Sequence, residues 1–91
     1  MSNNKIKKII IIGAGGFGRE ILWTLNDCNK IIKQYEILGF VDDNMSLKNK
    51  KIHDLPVLGD IDWILSSVPE NVSFIIGIGD SKIRKKIFYK L

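Results

Sequence analysis

One cysteine, one histidine and two prolines occur in the 91 residues, and each scarcity excludes something. With Cys28 alone no intrachain disulfide can form, and nothing beside it marks a nucleophile, so the expected role is a small buried hydrophobe. His53 has no second histidine or cysteine at ligand spacing; no metal site is expected, and His53 reads as a solvated loop residue. No apolar run approaches the ~20 residues a membrane span needs, so no membrane insertion is expected. The start, Met1 to Lys5, has some positive charge, but the apolar segment after it is short and runs into glycines without a convincing cleavage site. That pattern argues against a secretory signal and makes the cytoplasm the expected location. Internal repeats, low-complexity segments and linkers are also missing. The expectation is one small domain with a single core.

What is present is an alternation of strand and helix signals. Apolar residues are 45% of the chain and charged residues 26%, an ordinary globular balance. Ile9 to Ile12 is an uninterrupted β-branched run, the mark of a parallel strand buried on both faces. Phe17, Ile21, Leu25 and Cys28, with Leu22 flanking, predict one side of a helix. Asn26-Asp27 and Asn29 are expected to end it. Tyr35 to Val41 reads as a second strand stopping at Asp42-Asp43-Asn44, and Met45 to Lys51 as a surface excursion. Pro56 is excluded from a central strand, so Leu55 to Asp60 reads as an extended edge segment. Asp60 would cap a short helix over Ile61 to Ser67. Pro69 to Asn71 reads as a turn and Val72 to Ile78 as a third strand. Asp80 would then cap a last helix with Ile83, Ile87 and Leu91 facing inward. The order predicts an α/β domain with a mostly parallel sheet. The last helix stops at Leu91 without a capping signal, which suggests a chain cut inside a longer protein.

The stretch Gly13-Ala14-Gly15-Gly16-Phe17-Gly18 fits the G-x-G-x-x-G pattern between a strand and a helix. Gly13 suits the tight turn after the strand, Gly15 a close approach of a diphosphate oxygen, and Gly18 the packing of helix on strand. The helix N-terminus offers free N–H groups and a partial positive charge to that phosphate. The alternative is a turn that needs small residues only for packing. Asp42 lies 24 residues past Gly18 at the end of the second strand, near where an acidic residue accepts from ribose hydroxyls. Asp43 beside it either accepts from a ribose or base donor or simply forms a turn with its own backbone. Gly77-Ile78-Gly79-Asp80 is a second glycine turn at a strand end. If that strand flanks the first on the side away from Asp42, Gly79 faces the same crevice as Gly15.

Taken in order, G-A-G-G-F-G-R-E, G-F-V-D-D-N, L-P-V-L-G-D and F-I-I-G-I-G-D-S-K-I-R-K-K-I resemble the N-terminal domain of the PglD/NeuD-type sugar acetyltransferases, a sugar O-/N-acyltransferase family. The resemblance covers nearly the whole chain. It implies a small Rossmann-like three-layer domain that holds a nucleotide-linked sugar, typically a UDP-amino sugar. It also implies a following left-handed β-helix of hexapeptide repeats, which binds acetyl-CoA, builds a homotrimer and carries the catalytic histidine. By motif, nucleotide contacts would fall on Gly15, Gly16, Phe17, Asp42, Asp43 and Gly79. Phe17 stands where some relatives carry a polar side chain, so its contact would be through the backbone, and its ring either packs in the helix stripe or stays outside it.

No hexapeptide repeat occurs in residues 1–91, and His53 is not the family's base. The resemblance therefore implies a substrate-binding domain, truncated before the acyltransferase domain, that binds no cofactor and transfers no acetyl group alone. Acetyl-CoA would be the co-substrate of the full-length protein. A different class, an NAD(P)-binding domain of an oxidoreductase or redox-sensing regulator, fits the loop and Asp42 equally well, but no acid or base is placed for hydride transfer. Lys82, Arg84, Lys85, Lys86 and Lys90 mostly oppose the apolar positions of the last helix. They read as a solvated face rather than a nucleic-acid surface, despite the net charge of +4.

Overall fold

Four consecutive β-branched residues leave no polar face for solvent, and such a strand needs cover from both sides. The computed structural model, which describes residues 6–47, 50–67, 71–82 and 84–85, provides it. Strand β1 (Lys7–Ile12) lies between β2 (Tyr35–Val41) and β5 (Val72–Ile76), parallel to both. The sheet order is β3-β4-β2-β1-β5, with β3 (Lys51–Ile52) antiparallel to β4 (Leu55–Gly59) and every other pair parallel. Ile9 and Ile11 pack with Leu22 and Leu25 of α1 (Gly16–Ile31), together with Phe40 and Val57. Ile10 and Ile12 pack on the other side with Val41, Ile61 and Ile64, the last two from α2 (Ile61–Ser67). The result is the expected three-layer, Rossmann-like arrangement, with α1 on one face of the sheet and α2 on the other. No described helix is long and apolar enough to cross a membrane.

Several local expectations are corrected. The buried stripe of α1 is Gly18, Leu22 and Leu25; Ile21 and Cys28 are half-buried, and Phe17 lies on the exposed side. Nor does α1 end at Asn26 to Asn29. Asn29 turns back to the sheet instead: its Oδ1 accepts from the Gln34 and Tyr35 N–H groups, each at 2.9 Å, and its Nδ2 donates to the Tyr35 carbonyl at 2.8 Å. These bonds fix the helix end to the start of β2, so the asparagine anchors rather than terminates.

The excursion from Met45 to Lys51 holds a single 3-10 turn at Met45–Leu47 and the first residue of β3; residues 48 and 49 lie outside the described residues. Leu55 to Gly59 is not the outermost strand, because β3 pairs with its first two residues. β3 has only two residues, and Pro56 stands opposite Lys51 while the Val57 N–H reaches the Lys50 carbonyl at 3.1 Å. A two-residue turn joins them, with His53 and Asp54 at φ 50 and 66, the left-handed pair that such hairpins require. β5 stops at Ile76, before Gly77, Ile78 and Gly79. Asp80 starts a helical turn as expected: its Oδ1 accepts from the Lys82 N–H and its carbonyl from the Arg84 N–H, both at 2.9 Å. Ile83, Ile87, Leu91 and most of the Pro69 turn lie outside the described residues.

Candidate functional site

The chain leaves β1 for β2 and β4 on one side and returns to β5 on the other. In an open parallel sheet that reversal opens a crevice at the carboxyl ends of the strands. Gly13 begins the turn over it with φ 104, a conformation side chains rarely adopt, and its N–H donates to the Val41 carbonyl at 2.7 Å. A Cβ on Gly13 would stand 2.8 Å from the Gly77 carbonyl oxygen. A Cβ on Gly18 would run into the Gly13 carbonyl, and one on Gly77 would come 2.7 Å from the Gly18 Cα. These three glycines thus let β1, α1 and β5 meet backbone to backbone.

Gly15, Gly16 and Gly79 differ. A Cβ at any of them would meet no atom within 4 Å, and none has positive φ. Neither internal packing nor a left-handed turn demands glycine there. Gly15 is the N-cap of α1 and supplies no side-chain cap; the first turn holds no acidic residue. The first N–H to bond back is that of Arg19, to the Gly15 carbonyl at 3.0 Å. Among the described residues the N–H groups of Gly15, Gly16, Phe17 and Gly18 therefore have no partner. A helix start normally has a side chain to satisfy part of this set. Here four donors and the positive end of the helix dipole face the carboxyl end of the sheet, an arrangement suited to an anion. Phe17 is 45% exposed, so its ring does not pack in the stripe.

The two carboxylates hold this region together. Asp42 accepts from the Ala14 N–H through Oδ2 and from the Asn44 N–H through Oδ1, both at 2.8 Å. It braces the glycine loop against the turn after β2, keeping a second lone pair on each oxygen. Asp43 is more than a local turn residue: its Oδ1 accepts from the Ile61 N–H at 2.9 Å, securing the start of α2. Asp60 caps the same helix as expected, accepting from the Trp63 N–H at 2.9 Å.

Beside Gly13, a cavity of about 210 Å³ is lined by Ile12, Val41, Ile61 and Ile78, with Asp42 and Asp43 as its polar side chains. Sequence reasoning did not pick out Ala14, Ile61 or Ile78. The signal for the two isoleucines was their place just past the ends of β4 and β5, where side chains border the crevice. Ala14 is buried and contributes only its N–H, which no sequence signal reveals.

The structure brings Gly13, Gly15, Gly16, Phe17, Gly18, Asp42 and Asp43 together through the loop and its brace on Asp42. β5 lies on the side of β1 away from β2, so Gly79 follows a strand that ends at the same edge of the sheet. No group of three or more His, Cys, Asp or Glu residues that could hold a metal occurs among the described residues. A family profile described as the PglD N-terminal domain matches residues 8–91. A search of curated proteins finds no match.

Proposed function

The chain belongs to the PglD N-terminal domain family, and from that premise we propose that it is the substrate-binding part of a sugar acetyltransferase, holding the diphosphate of a nucleotide-linked sugar, a UDP-sugar by preference. The observation that carries this reading is the uncapped start of α1, with four N–H donors unpartnered among the described residues. Gly15 and Gly16 leave room for phosphate oxygens to reach them, and Phe17 contributes its N–H rather than its ring. The lone pairs left on Asp42 and Asp43 suit the donors of a ribose diol or a base N–H, and the apolar cavity beside them suits the flat face of the base. Gly79 borders the ligand from the β5 side.

The division of labour follows from the residues. This part of the protein orients the sugar by holding its nucleotide end, which raises the effective concentration of the sugar amine or hydroxyl at the acetyl donor. Acetyl-CoA, the histidine general base and the trimer contacts are assigned to a β-helix domain outside residues 1–91, so the chain alone binds and does not transfer. Thermal denaturation with added nucleotide tests the reading. A ligand that binds only the folded state at a hundredfold excess over its Kd stabilises by about 2.7 kcal/mol. UDP or a UDP-sugar should raise Tm by several degrees and NAD by less; a larger shift with NAD would transfer the site to a dinucleotide.

A further inference from the structure

The end of the sheet opposite the glycine loop carries apolar surface that the core does not use. There α1 runs out through Lys30-Ile31-Ile32-Lys33, and Ile6-Lys7-Lys8 leads into β1. The Lys7 N–H donates to the Gln34 carbonyl at 2.9 Å and Lys7 stands opposite Tyr35, so the start of β1 lies beside the residues that directly follow Lys33. Ile31 is 85% exposed, Ile32 59% and Ile6 47%. Lys7, Lys8, Lys30 and Lys33 are exposed among them. Asp27 binds Lys30 at 3.2 Å and Glu36 stands opposite Lys8, which leaves lysine in excess along these two segments.

We propose that this end docks on an anionic lipid bilayer, the three isoleucines entering the headgroup boundary and the lysines meeting acidic headgroups. The isoleucines protrude from a helix end and a strand start. The nearby cavity of about 280 Å³, between α1, β2 and the β3–β4 turn, is lined by Lys33 but by none of them. Exposed lysines beside protruding isoleucines match an anionic bilayer on both counts, its acidic headgroups and the apolar boundary beneath them. A second copy of the chain would bring lysines against lysines. A nucleic acid would satisfy the lysines but offer the isoleucines no apolar phase. The docked orientation turns the glycine loop away from the lipid, and the inference does not depend on what that loop binds.

Co-sedimentation with vesicles tests it. Equal parts phosphatidylglycerol and phosphatidylcholine should sediment the 91-residue chain, and phosphatidylcholine alone should not. Each lysine at an anionic surface strengthens partitioning about fivefold, so Lys7→Gln with Lys33→Gln should weaken it roughly 25-fold. Ile31→Asn with Ile32→Asn should weaken it by at least about tenfold with only a small change in Tm, because Ile31 is almost wholly exposed and Ile32 more than half exposed. No sedimentation with the anionic vesicles would overturn the proposal, as would unchanged binding of the double asparagine variant. A dimer in sedimentation velocity that this variant abolishes would assign the surface to a second copy instead. Capture by polyglutamate as tight as by vesicles would assign it to an acidic protein.

Discussion

Gly13, Gly18 and Gly77 lie where three backbones meet, whereas Gly15, Gly16 and Gly79 lie on the open rim beside them. At the junction a Cβ would strike a carbonyl or a Cα; on the rim it would touch nothing. The first group is explained by the fold. The second is not, and the N–H groups that Gly15 and Gly16 leave uncovered are the ones α1 fails to cap. One loop therefore contains two kinds of glycine, and only the rim kind speaks for a ligand.

Substitutions separate the two kinds, and the junction should give the largest effect. Gly18→Val drives a side chain into the Gly13 carbonyl, with backbone on both sides and no flexible group to yield. It should lower unfolding free energy by at least about 3 kcal/mol in a denaturant titration. Next comes the brace between loop and strand. Asp42→Ala orphans the buried Ala14 N–H and frees that of Asn44, at a cost of about 2 kcal/mol. Asp42→Asn keeps an acceptor oxygen and should recover part of that loss. Asp43→Ala removes a single bond at the start of α2 and should cost about 1 kcal/mol, read in the same titration.

The smallest effect has the opposite sign. Gly15→Asp installs a good N-cap carboxylate at the positive end of the helix dipole and should stabilise the fold by about 0.5 kcal/mol. The same carboxylate takes the phosphate's place, so the variant should lose the Tm response to UDP. A destabilised variant that kept the response would erase the distinction between rim and junction.

The parts of the fold written in local pattern were legible in the sequence. The isoleucine run of β1, the strand Tyr35 to Val41 and the helix Ile61 to Ser67 follow from periodicity and punctuation, and the structure has them at or near those bounds. What failed depended on partners far along the chain. Periodicity finds Leu25 and the flanking Leu22 but misses the start of the α1 stripe, because the buried position, Gly18, has no side chain to register as hydrophobic, while the exposed Phe17 does. Asn29 read as a helix stop because its bonds to Gln34 and Tyr35 exist only once β2 has folded back. The β3–β4 hairpin turns on His53-Asp54 rather than the usual Asn-Gly, so no turn signal announced it.

The same holds for the site. Spacing picked out Gly13, Gly15, Gly18 and Asp42, yet Asp42 acts first on the Ala14 N–H, 28 positions away. The motif alone assigns Gly13 to the turn, Gly15 to the ligand and Gly18 to packing, and the space around each Cα agrees. What spacing could not show is that Gly77 belongs with the packed pair and Gly16 and Gly79 with the open rim, because that depends on where β5 lies.

The central claim is that the uncapped N–H groups of α1 receive a diphosphate. Titrating the isotope-labelled domain with UDP and following backbone amides by NMR tests it residue by residue. The amides of Gly15, Gly16, Phe17 and Gly18 should shift most, downfield as charge-assisted bonds form, with smaller movements at Asp42, Asp43 and Gly79. Shifts concentrated elsewhere, or four amides that stay in place while UDP binds, would contradict it.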